Sequence, residues 1–98
     1  MTITQKKDGS ALTVALEGRL DTLTSPQLEA ALKEALADVT ALTFDFAALE
    51  YVSSAGLRVL LSTQKTMNAQ GKMTVKNVNE TVAEIFEVTG FSDILTIE

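Results

Sequence analysis

The spacing of apolar residues in this chain switches repeatedly between a period of 2 and a period of 3.6. Only strands alternating with helices satisfy both, so the pattern limits the fold more tightly than any single motif. Residues 2–6 suit a short strand, and Lys7-Asp8-Gly9 carries the turn, with Gly9 free to adopt positive φ. In 11–17, Leu12, Val14 and Leu16 alternate with Ala and Thr, which predicts a strand with one packed face, paired with the first as a hairpin. A helix follows, opened either by Ser25 as N-cap with Pro26 behind it or by a Thr24–Gln27 capping box. Its stripe is Leu28, Ala31, Leu32, Ala35 and Leu36. Leu42, Phe44 and Phe46 then share one face of a strand, with Thr43 and Asp45 on the other.

After Val52 the helical period returns with Leu57, Leu60 and Leu61, and Gly71 is placed to end that helix. Met73 and Val75 belong to a further strand. Asn79 is placed as an N-cap for a short helix with Val82, Ile85 and Phe86 buried, stopping at Gly90, and residues 93–97 suit a final strand. Phe44, Phe46 and Tyr51 read as core. The predicted order is β-β-α-β-α-β-α-β. Helical crossovers imply parallel pairing and right-handed connections, which put the helices mainly on one face. The expected fold is therefore α/β: one domain over 1–98, a mixed sheet with an N-terminal antiparallel hairpin followed by parallel strands.

Composition removes several classes of function. The net charge is −5, and the eight Lys and Arg are scattered, so no basic surface matches a nucleic acid backbone. No histidine is present to activate a serine or bind zinc, and no cysteine to form a disulfide or a thiolate ligand. No metal site, bound cofactor or enzymatic activity is expected. The N-terminus lacks the apolar core of a signal peptide, and no apolar run approaches the roughly 20 residues that span a bilayer. These features predict a cytoplasmic chain without membrane insertion.

One stretch carries a functional question. In YVSSAGLRVLL, residues 51–61, two adjacent serines stand between strand and helix. The plain reading is that one of them caps the helix, where the first N–H groups lack partners. A nucleophilic serine is disfavoured, for the chain has neither a base nor the glycine pattern of a hydrolase elbow. A regulated serine is physically sound. A phosphate there gains roughly 0.3–1 kcal/mol from the helix N-terminus and brings a charge a bound partner would have to accommodate. Arg58, one turn beyond Ser54, could pair with it, although exposed pairs contribute little.

Three segments carry a family resemblance: GRLDTLTSPQLEAAL at 18–32, LTFDFAALEYVSSAGLRVLL at 42–61 and GKMTVKNVNETVAEIFEVTGFSDIL at 71–95. Together they resemble a STAS domain of the anti-sigma-factor antagonist type over nearly the full length. The resemblance implies a phosphorylation-switched binding module that sequesters an anti-sigma factor acting also as a serine kinase, frees a sigma factor, and is reset by a serine phosphatase. ATP belongs to the kinase. The family motif is an acid, Ser, Ser or Thr, then Gly-Leu. Laid on SSAGL it makes Ser54 the acceptor, puts Ala55 at the second hydroxyl position, and puts Ser53 where the acid usually sits. It further implies partner contacts by Asp21, Ser53, Ser54, Ala55 and Arg58, and places Asp45 among the acids near the switch. STAS-like domains also serve as regulatory subunits of transporters, including lipid-transfer ATPases, and a ligand-sensing module is a further alternative. No glycine-rich phosphate cradle supports the last.

Overall fold

The computed structural model describes residues 1–98. Four strands, β1 (Thr2–Asp8), β2 (Ala11–Leu20), β3 (Ala41–Val52) and β4 (Lys72–Lys76), lie side by side in chain order. β1 runs antiparallel to β2, and the two parallel pairings β2–β3 and β3–β4 follow. The hairpin closes through Gly9 and Ser10, and Gly9 has φ +62, which a residue with a side chain rarely adopts. Helices α1 (Ser25–Ala35), α2 (Ser54–Gln70) and α3 (Glu80–Val88) follow β2, β3 and β4 in turn. Because the strands advance in one direction, right-handed crossovers bring the helices to the same side of the sheet.

That side holds the core. Leu12, Val14 and Leu16 of β2, Leu42, Phe44 and Phe46 of β3, and Met73 and Val75 of β4 are buried there, under Leu28 and Leu32 of α1, Leu60 and Met67 of α2, and Val82 and Phe86 of α3. The other face alternates out of the core. Thr13, Thr43 and Thr74 stand in register across it, half-buried and uncovered by any helix.

Four details differ from the sequence-based expectations. First, β3 does not end at Phe46, where its alternation does. It continues to Val52 through two register shifts against β2, between Ala15 and Glu17 and between Gly18 and Arg19. Each shift inserts one extra residue into β3, so Phe46, Leu49 and Val52 remain buried at a spacing of three. Gly18, at φ +101, supplies the backbone freedom opposite the bulges. Second, residues 93–97 form no strand. A 3₁₀ turn over Phe91–Asp93 uses the first of them, and only Ile97 bridges Val75. Third, Tyr51 is not core. It is half-buried, with the Arg19 guanidinium 4.5 Å from its ring centre. Fourth, Leu61 and Ile85 are half-buried, and α2 turns Gly56, Val59, Thr63, Gln64 and Met67 inward beside Leu57 and Leu60.

The helix ends are tied down by named groups. At the far end of the sheet the Gln70 amide donates to the Leu36 and Val39 carbonyls, both at 2.6 Å, satisfying orphan acceptors at the end of α1. Gly71 follows as the predicted stop, but close approach rather than positive φ requires it: a Cβ there would lie 1.8 Å from the Thr40 carbonyl oxygen. Asn79 caps α3 as predicted, accepting from Val82 N–H at 2.9 Å, and also donates to the Leu49 carbonyl at 2.7 Å.

Candidate functional site

The carboxyl-terminal ends of β2 and β3 lie together, which brings the turn after β2 against the start of α2. The Ser53 N–H donates to the Leu20 carbonyl at 2.8 Å, so Asp21 follows directly beside the two serines. The division of labour between those serines is resolved here. Ser53 is the N-cap, extended at φ −87, ψ 175, and its hydroxyl accepts from Gly56 N–H at 3.3 Å. Ser54 is the first helical residue; it is exposed and its hydroxyl bonds to no other group of the protein. Capping and display are therefore separate jobs on adjacent residues.

Gly56 has a structural reason to be glycine. A Cβ at this position would meet Leu20 Cγ at 2.7 Å, the Leu20 carbonyl oxygen at 2.9 Å and Val52 Cγ1 at 3.0 Å. The first turn of α2 can press onto the end of β2 only without a side chain there. Leu57, next in the motif, is buried. Thus Gly-Leu in SSAGL serves packing, the first serine serves the cap, and the second faces the surface.

Asp21 is committed inward. Its Oδ1 accepts from Leu23 N–H at 3.0 Å, Thr24 N–H at 3.1 Å and the Thr24 hydroxyl at 3.2 Å. The Thr24 hydroxyl also lies 2.8 Å from both the Asp21 N–H and the Arg19 carbonyl. The Thr24 N–H above all, together with the Thr24 hydroxyl, the Leu23 N–H and the Arg19 charge, holds the carboxyl below the ordinary carboxylate range. This box also replaces the expected start of α1. Thr24 occupies the cap position without a side-chain cap bond, and the Ser25 hydroxyl donates to the Asp21 carbonyl, so neither a Ser25 cap nor a Thr24–Gln27 capping box forms.

Ala55 and Arg58 line a cleft of about 420 Å³ between α1 and α2, with Thr22, Pro26 and Glu29 on the opposite wall. Ala55 is half-buried; Arg58 is exposed and makes no salt bridge. Five residues singled out from the sequence, Asp21, Ser53, Ser54, Ala55 and Arg58, are thus gathered at one end of the sheet. Asp45 is not among them. It lies in mid-β3, seven residues before Val52, or about 20 Å of strand. Its Oδ1 accepts from Asn77 at 3.0 Å and Ala47 N–H at 3.1 Å, and these bonds, the Asn77 one foremost, lower its pKa. Asp45 fastens the left-handed Asn77 (φ 60) of the β4–α3 loop to the bulged strand. Sequence reasoning passed over Leu23 and Arg19 and read Thr24 only as a helix cap, although the short polar run between Leu20 and Pro26 is itself the signal of an ordered turn.

Comparison with known proteins agrees with this geometry. A family profile described as "Mlab, STAS domain" matches residues 3–96. BtrV of Bordetella bronchiseptica, whose name places it with the anti-sigma factor antagonists, is 32% identical over 99 residues, covering 99% of this chain and 85% of BtrV. Among solved structures, an anti-sigma factor antagonist from Mycobacterium paratuberculosis superposes with a TM-score of 0.88 at 25% identity, covering 98% of this chain and 83% of that one. The antagonist SpoIIAA in its unphosphorylated form shares the fold at a TM-score of 0.78 and 20% identity, over 99% of this chain and 87% of its own. The chain belongs to the STAS domain family, among the anti-sigma-factor antagonists.

Proposed function

We propose that this domain binds and sequesters an anti-sigma factor that is also a serine kinase, and that phosphorylation of Ser54 releases it. The observation that carries the reading is the exposed, unbonded Ser54 hydroxyl at the first position of α2, next to a serine that does the capping. A phosphate on Ser54 breaks no bond of the fold and sits where the helix N-terminus favours an anion. The same group, carrying about 1.5–2 negative charges, would be desolvated within any interface centred there. Removal of the phosphate by a serine phosphatase restores binding. Asp21 contributes by holding its turn in place, Ser53 by setting the start of α2, and Ala55 and Arg58 by shaping the cleft beside the acceptor.

The test uses the purified anti-sigma-factor kinase of the same host. With ATP, Ser54→Ala should abolish labelling and Ser53→Ala should leave much of it. A charge buried without a partner costs about 3–5 kcal/mol. Phosphorylated protein should therefore bind the kinase on the order of a hundred-fold to several thousand-fold more weakly by calorimetry. Equal affinity of the folded phosphorylated and unmodified forms would sink the reading.

A second reading is a regulatory subunit of a lipid-transfer ATPase, in which the same face binds without modification. Ser53 standing where the family motif has an acid favours it, since the carboxylate next to the acceptor is missing. Co-purification with transporter subunits, and an unmodified Ser54 in the native host, would bring it forward.

A further inference from the structure

We infer that Leu23 is the apolar anchor of the Ser54 face, seated in a socket of the partner protein when the two bind. The inference rests on the reading of that face as the partner surface. Leu23 is 89% exposed, more than any other large apolar residue of the chain. Single exposed leucines are ordinary on protein surfaces; this one is set apart by standing on a fixed turn. Its own N–H is held by Asp21 Oδ1, and Thr24 on its other side is held twice by the same atom. Its position is continuous with the acceptor face, since the neighbouring Thr22 shares a cleft with Ala55 and Arg58.

A fixed backbone has little entropy left to lose on binding, so most of the gain from burying the side chain would appear as affinity. The cleft that Thr22 shares with Ala55 also carries the charges of Glu29 and Arg58, the polar setting expected at the rim of a protein interface. A protein is the occupant that fits. A membrane surface is disfavoured because the chain carries a net charge of −5 and the side chain has no basic cluster beside it. Val88, 76% exposed, provides the contrast: it ends α3, away from the serine junction.

The test compares wild type, Leu23→Ala, Leu23→Asp and Val88→Ala against the purified anti-sigma-factor kinase by calorimetry, with thermal melts as the fold control. Leu23→Ala should weaken binding about 10- to 100-fold and Leu23→Asp more, with unchanged melting. Val88→Ala should bind as wild type does. If Leu23→Ala binds like wild type while phosphorylation still releases the kinase, the anchor is wrong and the Ser54 reading stands. If Leu23→Ala weakens binding and phosphorylation does not, the anchor stands and the switch fails. Sedimentation of each variant alone covers the remaining occupant: self-association that Leu23→Asp abolishes would assign the knob to a second copy and overturn the inference.

Discussion

The N-termini of α2 and α3 are built alike and finished differently. Ser53 and Asn79 have nearly the same cap conformation, φ −87, ψ 175 and φ −77, ψ 173, and each side chain accepts from the N–H three residues on. Beyond that they diverge. Asn79 is bonded twice, to Val82 and across to Leu49 of β3, and Glu80 follows in the first turn. Ser53 makes one longer bond, and the first turn of α2 has no acid. A helix start favours negative charge. α3 already has such a charge and is locked to the sheet, whereas α2 leaves its place vacant beside an exposed hydroxyl. Capping is common to both starts; what separates α2 from α3 is a cap that leaves the electrostatic preference unused, which suits the regulation proposed for Ser54.

The largest expected effect would strain the contact that seats α2. Gly56→Ala adds a methyl within 3.0 Å of both Leu20 and Val52. Overpacking of this kind costs about 1–3 kcal/mol, and the better helix propensity of Ala returns at most about 1. A net loss of about 1–2 kcal/mol is expected by urea denaturation, with kinase binding weakened as the start of α2 shifts. The cap substitutions come next. Asn79→Ala removes two hydrogen bonds and should cost about 2 kcal/mol, against about 1 for Ser53→Ala. Equal costs would show that the tie to Leu49 contributes nothing.

Charge at the two starts should have smaller and opposite effects. Glu80→Gln should lower stability by about 0.3–1 kcal/mol, and Ser54→Asp should raise it by a similar amount, both diminishing in high salt. A destabilised Ser54→Asp would contradict a vacant anion position. The smallest effect separates the turns that flank these helices. Asp21 beside α2, and Asp45, which holds the loop before α3, both have folded-state pKa values below the ordinary 3.8. Each therefore contributes stability above that value and loses it as pH falls through its lower folded value. Urea midpoints should drop below about pH 4, and Asp21→Asn or Asp45→Asn should flatten that fall.

Much of this was legible in the sequence. Strict alternation gave β2 and the first half of β3, and the leucine stripe gave α1, because burial on one face leaves a local periodic trace. Bulges leave none. Phe46, Leu49 and Val52 recur every three residues, a spacing that belongs to neither template until β2 is alongside. Residues 93–97 failed for the converse reason: a buried Leu95 and a bridging Ile97 imitate a strand whose tail touches β4 at a single bridge. The junction pattern located the candidate site and the motif named Ser54, but only the bond from Gly56 N–H to the Ser53 hydroxyl shows which serine caps. Asp45 could not be placed from sequence either, since its role depends on Asn77, which is 32 residues away and adjacent only in the folded sheet.

The agreement between strand order and chain order has a consequence for how the molecule is made. Each strand finds its neighbour already synthesised: β2 pairs with β1, β3 with β2, and β4 with β3. No strand must wait for a later one to be inserted between it and its partner, so the sheet can grow by accretion from the N-terminus as the chain emerges. The Ser54 face draws on the end of β2, the turn after it and the first turns of α1 and α2, all of which precede Gly71. Its segments are complete before β4 and α3 leave the ribosome, so the proposed partner surface can be assembled before the far edge of the domain exists.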